Sequence, residues 1–228
     1  HIAGISSGNG MRSKGKYRGI AAHTNHVDGK VLNQQGDGRI EDFVKAIYWC
    51  IKMQKKYHIR ILNISIGLIS RVEHELQAAL LDAVEMAWDQ GIVIVCAAGN
   101  NGPDRGSVTI PGTQPKVITV GSVDYRYSGC TPSDYSGRGP TEECVKKPEI
   151  YAPGSNIISC SNQGWYSQKT GTSMSVPVVT GAIALLLQQE PWLSPVDVKL
   201  RLYERAKRFS SDGNWGTIYL PSLLEKRQ

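Results

Sequence analysis

The chain has 228 residues, of which 40% are hydrophobic and 20% charged, with a formal net charge of +6. These proportions fit one soluble globular domain with a sizeable core and exclude wholesale disorder; no run reaches the ~18–20 consecutive apolar residues of a membrane-spanning helix. The Lys and Arg excess is scattered, with modest clusters at Lys52–Lys56 and Arg201–Arg208 that lack interleaved aromatics, so the charge reads as solvated helix faces and not as a nucleic-acid patch.

The chain opens on "HIAGI", an apolar stretch without a charged leader, which does not read as a signal peptide and reads instead as a cut beginning. "RIEDFVKAIYWCIKMQKKY" spaces Ile40, Phe43, Ile47, Tyr48 and Ile51 as on one helix, with Glu41 and Asp42 early and a lysine pair late, as the helix dipole favours. "IRILNISIG" is a β-branched run closed by glycine and predicts a buried strand. "EHELQAALLDAVEMAWDQG" returns to helical spacing and stops at Gly91, and Ile92–Cys96 form a second apolar strand. "KVITVGSVD", "KPEIYAPG" and "NIISC" read as further strands, with turn-rich sequence over 125–145. Met174–Leu187 is apolar all round, predicting a fully buried helix. Ser194, Pro195 and Asp197 supply a cap, a first-turn proline and a carboxylate that open a surface helix. Alternating helix and strand predict an α/β fold in three layers, a mostly parallel sheet with helices on both faces, in one domain over 1–228 with no internal repeat or linker.

Five widely spaced cysteines, Cys50, Cys96, Cys130, Cys144 and Cys160, show neither a Cys-x-x-Cys nor a Cys/His metal spacing. Buried free thiols at Cys50 and Cys96 are the simplest reading and lean toward a reducing compartment; a Cys130–Cys144 bridge stays open.

In open parallel sheets, sites form beyond the carboxyl ends of the strands. Three segments of unusual composition end there: Ser65-Ile66-Gly67, Ala97-Ala98-Gly99-Asn100, and the turn Gly171-Thr172-Ser173 in "KTGTSMSVPVVTG". A serine at a helix start is ordinarily a cap, and an asparagine after glycine ordinarily a turn former. Together they admit another role: Ser173 as a nucleophile, with the helix N-terminus and the Asn100 amide stabilising a developing oxyanion. No Gly-x-Ser-x-Gly elbow is present, which removes the lipase and esterase pattern.

With these segments in order, the chain resembles the subtilisin-like serine proteases. "GTSMSVP" is similar to the family's nucleophile motif, with Ser175 and Val176 departing from its commonest form; "CAAGNNGP" to the oxyanion-asparagine segment, "ILNISIG" to the substrate-binding strand, and "KPEIYAPG" to the strand before the nucleophile. The resemblance implies a subtilisin-like fold lacking its N-terminal part and a serine endopeptidase working through an acyl-enzyme on Ser173, with Asn100 as oxyanion donor. It also implies an extended polypeptide substrate paired to Ser65, Ile66 and Gly67, with Gly36-Asp37-Gly38 as the opposite rim, and side-chain preference set near Ala97–Asn100.

"HIAGI" aligns with the second histidine of the family's His-Gly-Thr-His motif, which makes His1 the non-catalytic partner. It places the base three residues upstream, and the catalytic aspartate on a still earlier strand. "AAHTNHVDGKVL", residues 21–32, looks like the family's next strand, and His23, His26, His58 and His74 take surface or structural roles. The chain by itself is therefore expected to be inactive; a non-catalytic peptide-binding module or decayed fragment is the alternative reading. No cofactor is identified, although structural calcium is a family habit; no Asp-x-Asp-type loop marks a site. A family proline near the specificity pocket points to a cis peptide before Pro111 in "TIPGTQP".

Overall fold

The computed structural model describes residues 1–67, 73–126, 129–209 and 216–225. The sheet is built on β1 (Ile61–Ile64), β2 (Val93–Ala97) and β3 (Ile118–Arg126), which pair in parallel, Ile61 opposite Val93 and Val95 opposite Ile118. β3 also holds β4 (Gly129–Pro132) antiparallel and β5 (Ile150–Pro153) parallel. β6 (Ile157–Cys160) and β7 (Tyr166–Lys169) form a separate antiparallel ribbon.

Helices cover both faces. All of β2 is buried, as a parallel strand flanked on both sides must be. On one face α4 (Thr172–Gln189) runs against β1, β2, β3 and β5, with Val176, Val179, Ile183 and Leu186 inaccessible to solvent. α2 (Ile40–Tyr57) packs on α3 (His74–Asp89), and α3 on β2. α1 (Ile2–Ser7) lies on α4 and reaches β6. By length and composition α4 could cross a membrane, but most of it is buried inside the fold, as its all-round apolar sequence predicts.

α2 buries Ile40, Phe43 and Ile47 and half-buries Ile51, and its Glu41/Asp42 start and Lys55/Lys56 end match the helix dipole. Tyr48 departs from the expected stripe: one residue past Ile47 it has turned by about 100° on the helix, and it is exposed. α5 (Pro195–Arg205) starts on the expected capping box, with Ser194 Oγ accepting from Asp197 N and the Asp197 carboxylate accepting from Ser194 N. Arg201, buried on α5, donates two hydrogen bonds to Glu190, at 2.8 and 3.1 Å, tying α5 to the end of α4. A short α6 (Leu220–Leu223) packs beside α5.

Two strands were not anticipated. β4 lies in the sequence read as turns, and β7 has no apolar run because only its ribbon partner holds it. The opposite correction applies to 21–32. That segment forms no strand: among the described residues β1 is the sheet edge, paired with β2 alone. A strand is stabilised by its neighbour's hydrogen bonds, not by its own composition. Instead Val27, Val31 and Leu32 border a trough of about 1230 Å³ along β1, closed on other sides by α1, α2 and α4. All five cysteines are free; Cys96 is fully buried, which pushes its thiol up to about 12, whereas Cys50 is half-buried.

Behind β3 a charged cluster sits in the core. Lys147 Nζ, inaccessible to solvent, donates to Glu149 Oε1 at 2.7 Å and to the Val117 carbonyl at 3.0 Å. Glu149 also accepts from the Thr119 N–H, and Lys199 approaches its Oε1 at 2.9 Å. Burial pulls the Lys147 ammonium down to about 8, against the opposing pull of Glu149. The unfolded lysine titrates near ~10.4, so between these values the unfolded chain holds more protons and the Lys147 contribution to stability rises with pH. Denaturation of wild type and Lys147→Met is thus expected to give a stability difference that is flat below pH ~8 and moves in favour of wild type up to pH ~10; a difference moving the other way contradicts the assignment.

Candidate active site

Ser173 is the second residue of α4, but it does not cap the helix. The cap position belongs to Gly171, and the Ser173 hydroxyl donates across the molecule to the Ser65 carbonyl at 2.9 Å. The capping acceptor comes from another segment: Asn100 Oδ1 accepts from Thr172 N at 2.9 Å and from Thr172 Oγ1 at 3.1 Å. Thr172 Oγ1 in turn accepts from the Gly99 N–H at 3.2 Å. The buried Thr172 side chain is therefore a two-sided clasp between the end of β2 and the start of α4.

This clasp leaves donors unused. Among the described residues neither the Asn100 Nδ2 group nor the Ser173 N–H has a hydrogen-bond partner. Both lie at the positive end of α4, where anions are favoured. Gly171 is required for the approach. Its φ of 150° disfavours a side chain, and a Cβ there would sit 3.2 Å from Asn100 Nδ2. Four residues further on, Pro177 has no N–H to return to the Ser173 carbonyl, so the helical ladder is broken at the residue carrying the hydroxyl.

Ser65, Ile66 and Gly67 leave the carboxyl end of β1 beside this turn. Asn63 Nδ2 donates to Ser65 Oγ at 2.7 Å, and Thr180 of α4 donates to Asn63 Oδ1 at 3.0 Å, which fixes the strand end against the helix. The structure thus brings Ser173, Asn100 and Ser65 together. Gly36 and Gly38 lie apart, in an exposed loop closed by Asn33, whose Oδ1 accepts from Gln35 N and Asp37 N. No hydrogen bond among the described residues joins these two glycines to Ser65–Gly67; Val31, Leu32 and Asn33 of their loop stem line the β1 trough. The Ile110–Pro111 bond is cis, as expected. Thr172, inside the "KTGTSMSVPVVTG" stretch, joins these residues through its bonds to Gly99 and Asn100, a partnership that its place in the motif does not reveal.

No described histidine contacts Ser173. The His1 ring bonds the Ser167 carbonyl at 3.1 Å, with Nδ1 buried and unpaired. His23 meets Arg18, His26 meets Ser7 and Asp28, His58 closes α2 in a left-handed conformation, and His74 opens α3. Among the described residues no three His, Cys, Asp or Glu side chains converge.

Known proteins share both sequence and fold with this chain. The profile of the Subtilase family matches residues 1–217. The chain is 40% identical over 221 residues to Serine protease AprX of Bacillus subtilis (strain 168), covering 87% of this chain and 50% of that protein. It is 33% identical over 200 residues to Subtilisin DY of Bacillus licheniformis, covering 87% of this chain and 66% of that one. The solved structure of Sphericase superposes with a TM-score of 0.82 at 28% identity, over 95% of this chain and 70% of its own. The chain spans about half the length of the first curated relatives it matches. Matched along nearly its whole length by sequence and by fold, it belongs to the subtilase family.

Proposed function

We propose that residues 1–228 form the nucleophile-bearing part of a serine endopeptidase domain that cleaves proteins through an acyl-enzyme on Ser173. One observation carries this reading: a helix-start serine freed from capping because Asn100 caps in its place, with unpaired donors beside it. Attack by Ser173 Oγ on a peptide carbonyl turns that oxygen into an oxyanion, and the Asn100 Nδ2 and Ser173 N–H groups are the donors placed to receive it. The relatives' names, a serine protease and a subtilisin, agree with this chemistry.

The substrate is an extended polypeptide that adds its backbone to Ser65, Ile66 and Gly67, with the Gly36–Gly38 loop as the outer rim. A peptide carbonyl entering here draws the Ser173 hydroxyl from the Ser65 carbonyl it now occupies. The proton then needs an acceptor, which this reading places three residues before His1, with an orienting aspartate earlier still. Because no described histidine contacts Ser173, residues 1–228 by themselves are proposed to turn over no substrate.

Fluorophosphonate labelling and peptide hydrolysis by the full-length protein test the reading. Labelling is expected on Ser173 and on no other serine, and both signals vanish in Ser173→Ala. Asn100→Ala is expected to lower turnover by about 10²–10³, the effect known for losing one such donor in a subtilisin, with smaller effect on KM. Absence of labelling in the full-length protein supports instead a peptide-binding module without catalysis.

A further inference from the structure

Thr180 carries a second hydroxyl on α4, two turns beyond Ser173. Their separation in sequence falls about 20° short of two full turns, so the two side chains leave the helix on one face. Each makes a bond to the end of β1. Ser173 Oγ donates to the Ser65 carbonyl at 2.9 Å, and Thr180 Oγ1 donates to Asn63 Oδ1 at 3.0 Å. Asn63 passes the second contact on, because its Nδ2 donates to Ser65 Oγ at 2.7 Å. Helix and strand end are joined twice, and both joints finish on Ser65.

The chemistry treats the two joints differently. The first uses the Ser173 hydroxyl and is given up when that oxygen turns to attack a peptide carbonyl. The second contains no reacting atom and persists. The helix between them is weakened, because Pro177 lacks the N–H that would bond the Ser173 carbonyl and the ladder holding the first turn to the rest of α4 lacks a rung. A carbonyl carbon in attacking position at Ser173 Oγ is two covalent bonds from the backbone nitrogen of its own residue, which brings that N–H within reach of the Ser65 carbonyl. The acceptor that Ser173 releases is then the acceptor that takes the substrate.

We propose that Thr180 and Asn63 are positioning residues for this reaction: through the Ser65 side chain they hold the Ser65 carbonyl in place while Ser173 leaves it, so that it accepts the substrate N–H. The inference rests on the peptidase reading above. Neither residue touches the substrate or takes part in proton transfer.

The test uses the full-length protein and two peptides, one natural and one in which an ester oxygen replaces the N–H of the residue before the cleaved bond. Cleavage is read from the amine released downstream, and fluorophosphonate labelling counts the reactive fraction in each preparation. In wild type the ester is expected to lower kcat/KM by about fivefold, the worth of one neutral hydrogen bond. Thr180→Val keeps the side chain's shape and removes its hydroxyl. It is expected to lower kcat/KM on the natural peptide by about tenfold, inside the range that a small misplacement produces, and to bring the natural/ester ratio close to one. Asn63→Ala is expected to do the same, and Thr180→Ser to restore the wild-type ratio. A purely structural role lowers Tm or the labelled fraction and leaves the ratio unchanged. A wild-type ratio in either labelled Thr180→Val or labelled Asn63→Ala, or a ratio of one in the wild type itself, overturns the inference and leaves the peptidase reading intact. Failure of Ser173 to label in the wild type overturns that reading and this inference with it.

Discussion

The arrangement depends on one joint, the clasp of Asn100 and Thr172 between the end of β2 and the start of α4. A helix N-terminus buried in a protein must find acceptors for its first N–H groups. Here the acceptor is supplied by a carboxamide 72 positions away in sequence. That choice has two effects. It fixes the helix to the sheet, and it relieves Ser173 of capping, so that its hydroxyl points across the groove to Ser65. The same carboxamide presents its Nδ2 over Gly171, whose φ of 150° disfavours a side chain and where a Cβ would crowd Nδ2 at 3.2 Å. The Oδ1 end of the Asn100 side chain thus serves the helix cap, and the Nδ2 end is the one the proposed chemistry would use.

The rest of the fold holds the two sides of this joint still. α4 is buried against four strands, and its far end is secured by the Arg201–Glu190 pair and by Arg60, which donates to the Pro191 and Leu193 carbonyls. On the sheet side, the Lys147–Glu149–Lys199 cluster gathers β3, β5 and α5. Such buried charges are costly to desolvate, and they contribute little net stability. Their geometric effect is clear, however: Lys199 also donates to the carbonyls of Pro115, Lys116 and Val117, fixing the stretch that follows Thr109 and Pro111.

Much of the architecture was legible because it is local. The stripe Ile40, Phe43, Ile47, the all-apolar β2, the buried α4 and the Ser194–Asp197 box each advertise themselves within a few residues. What was not legible is set by partners distant in sequence. Residues 21–32, expected as a strand from the family resemblance, form none, whereas Tyr166–Lys169 lack an apolar run and pair because β6 lies alongside. The site divides the same way. Ser173 and Asn100 were visible as motifs, but the Thr172 clasp appears only once the chain is folded.

The central claim is that α4 presents Ser173 for attack with Asn100 as the oxyanion donor. It is tested most directly by a crystal structure of the full-length protein inactivated with a peptidyl phosphonate. The account predicts phosphorus bonded to Ser173 Oγ, one phosphonyl oxygen within hydrogen-bonding distance of Asn100 Nδ2 and the Ser173 N–H, and the peptide backbone paired to Ser65–Gly67. An adduct on another residue, or on Ser173 with the phosphonyl oxygen turned away from Asn100, would contradict it.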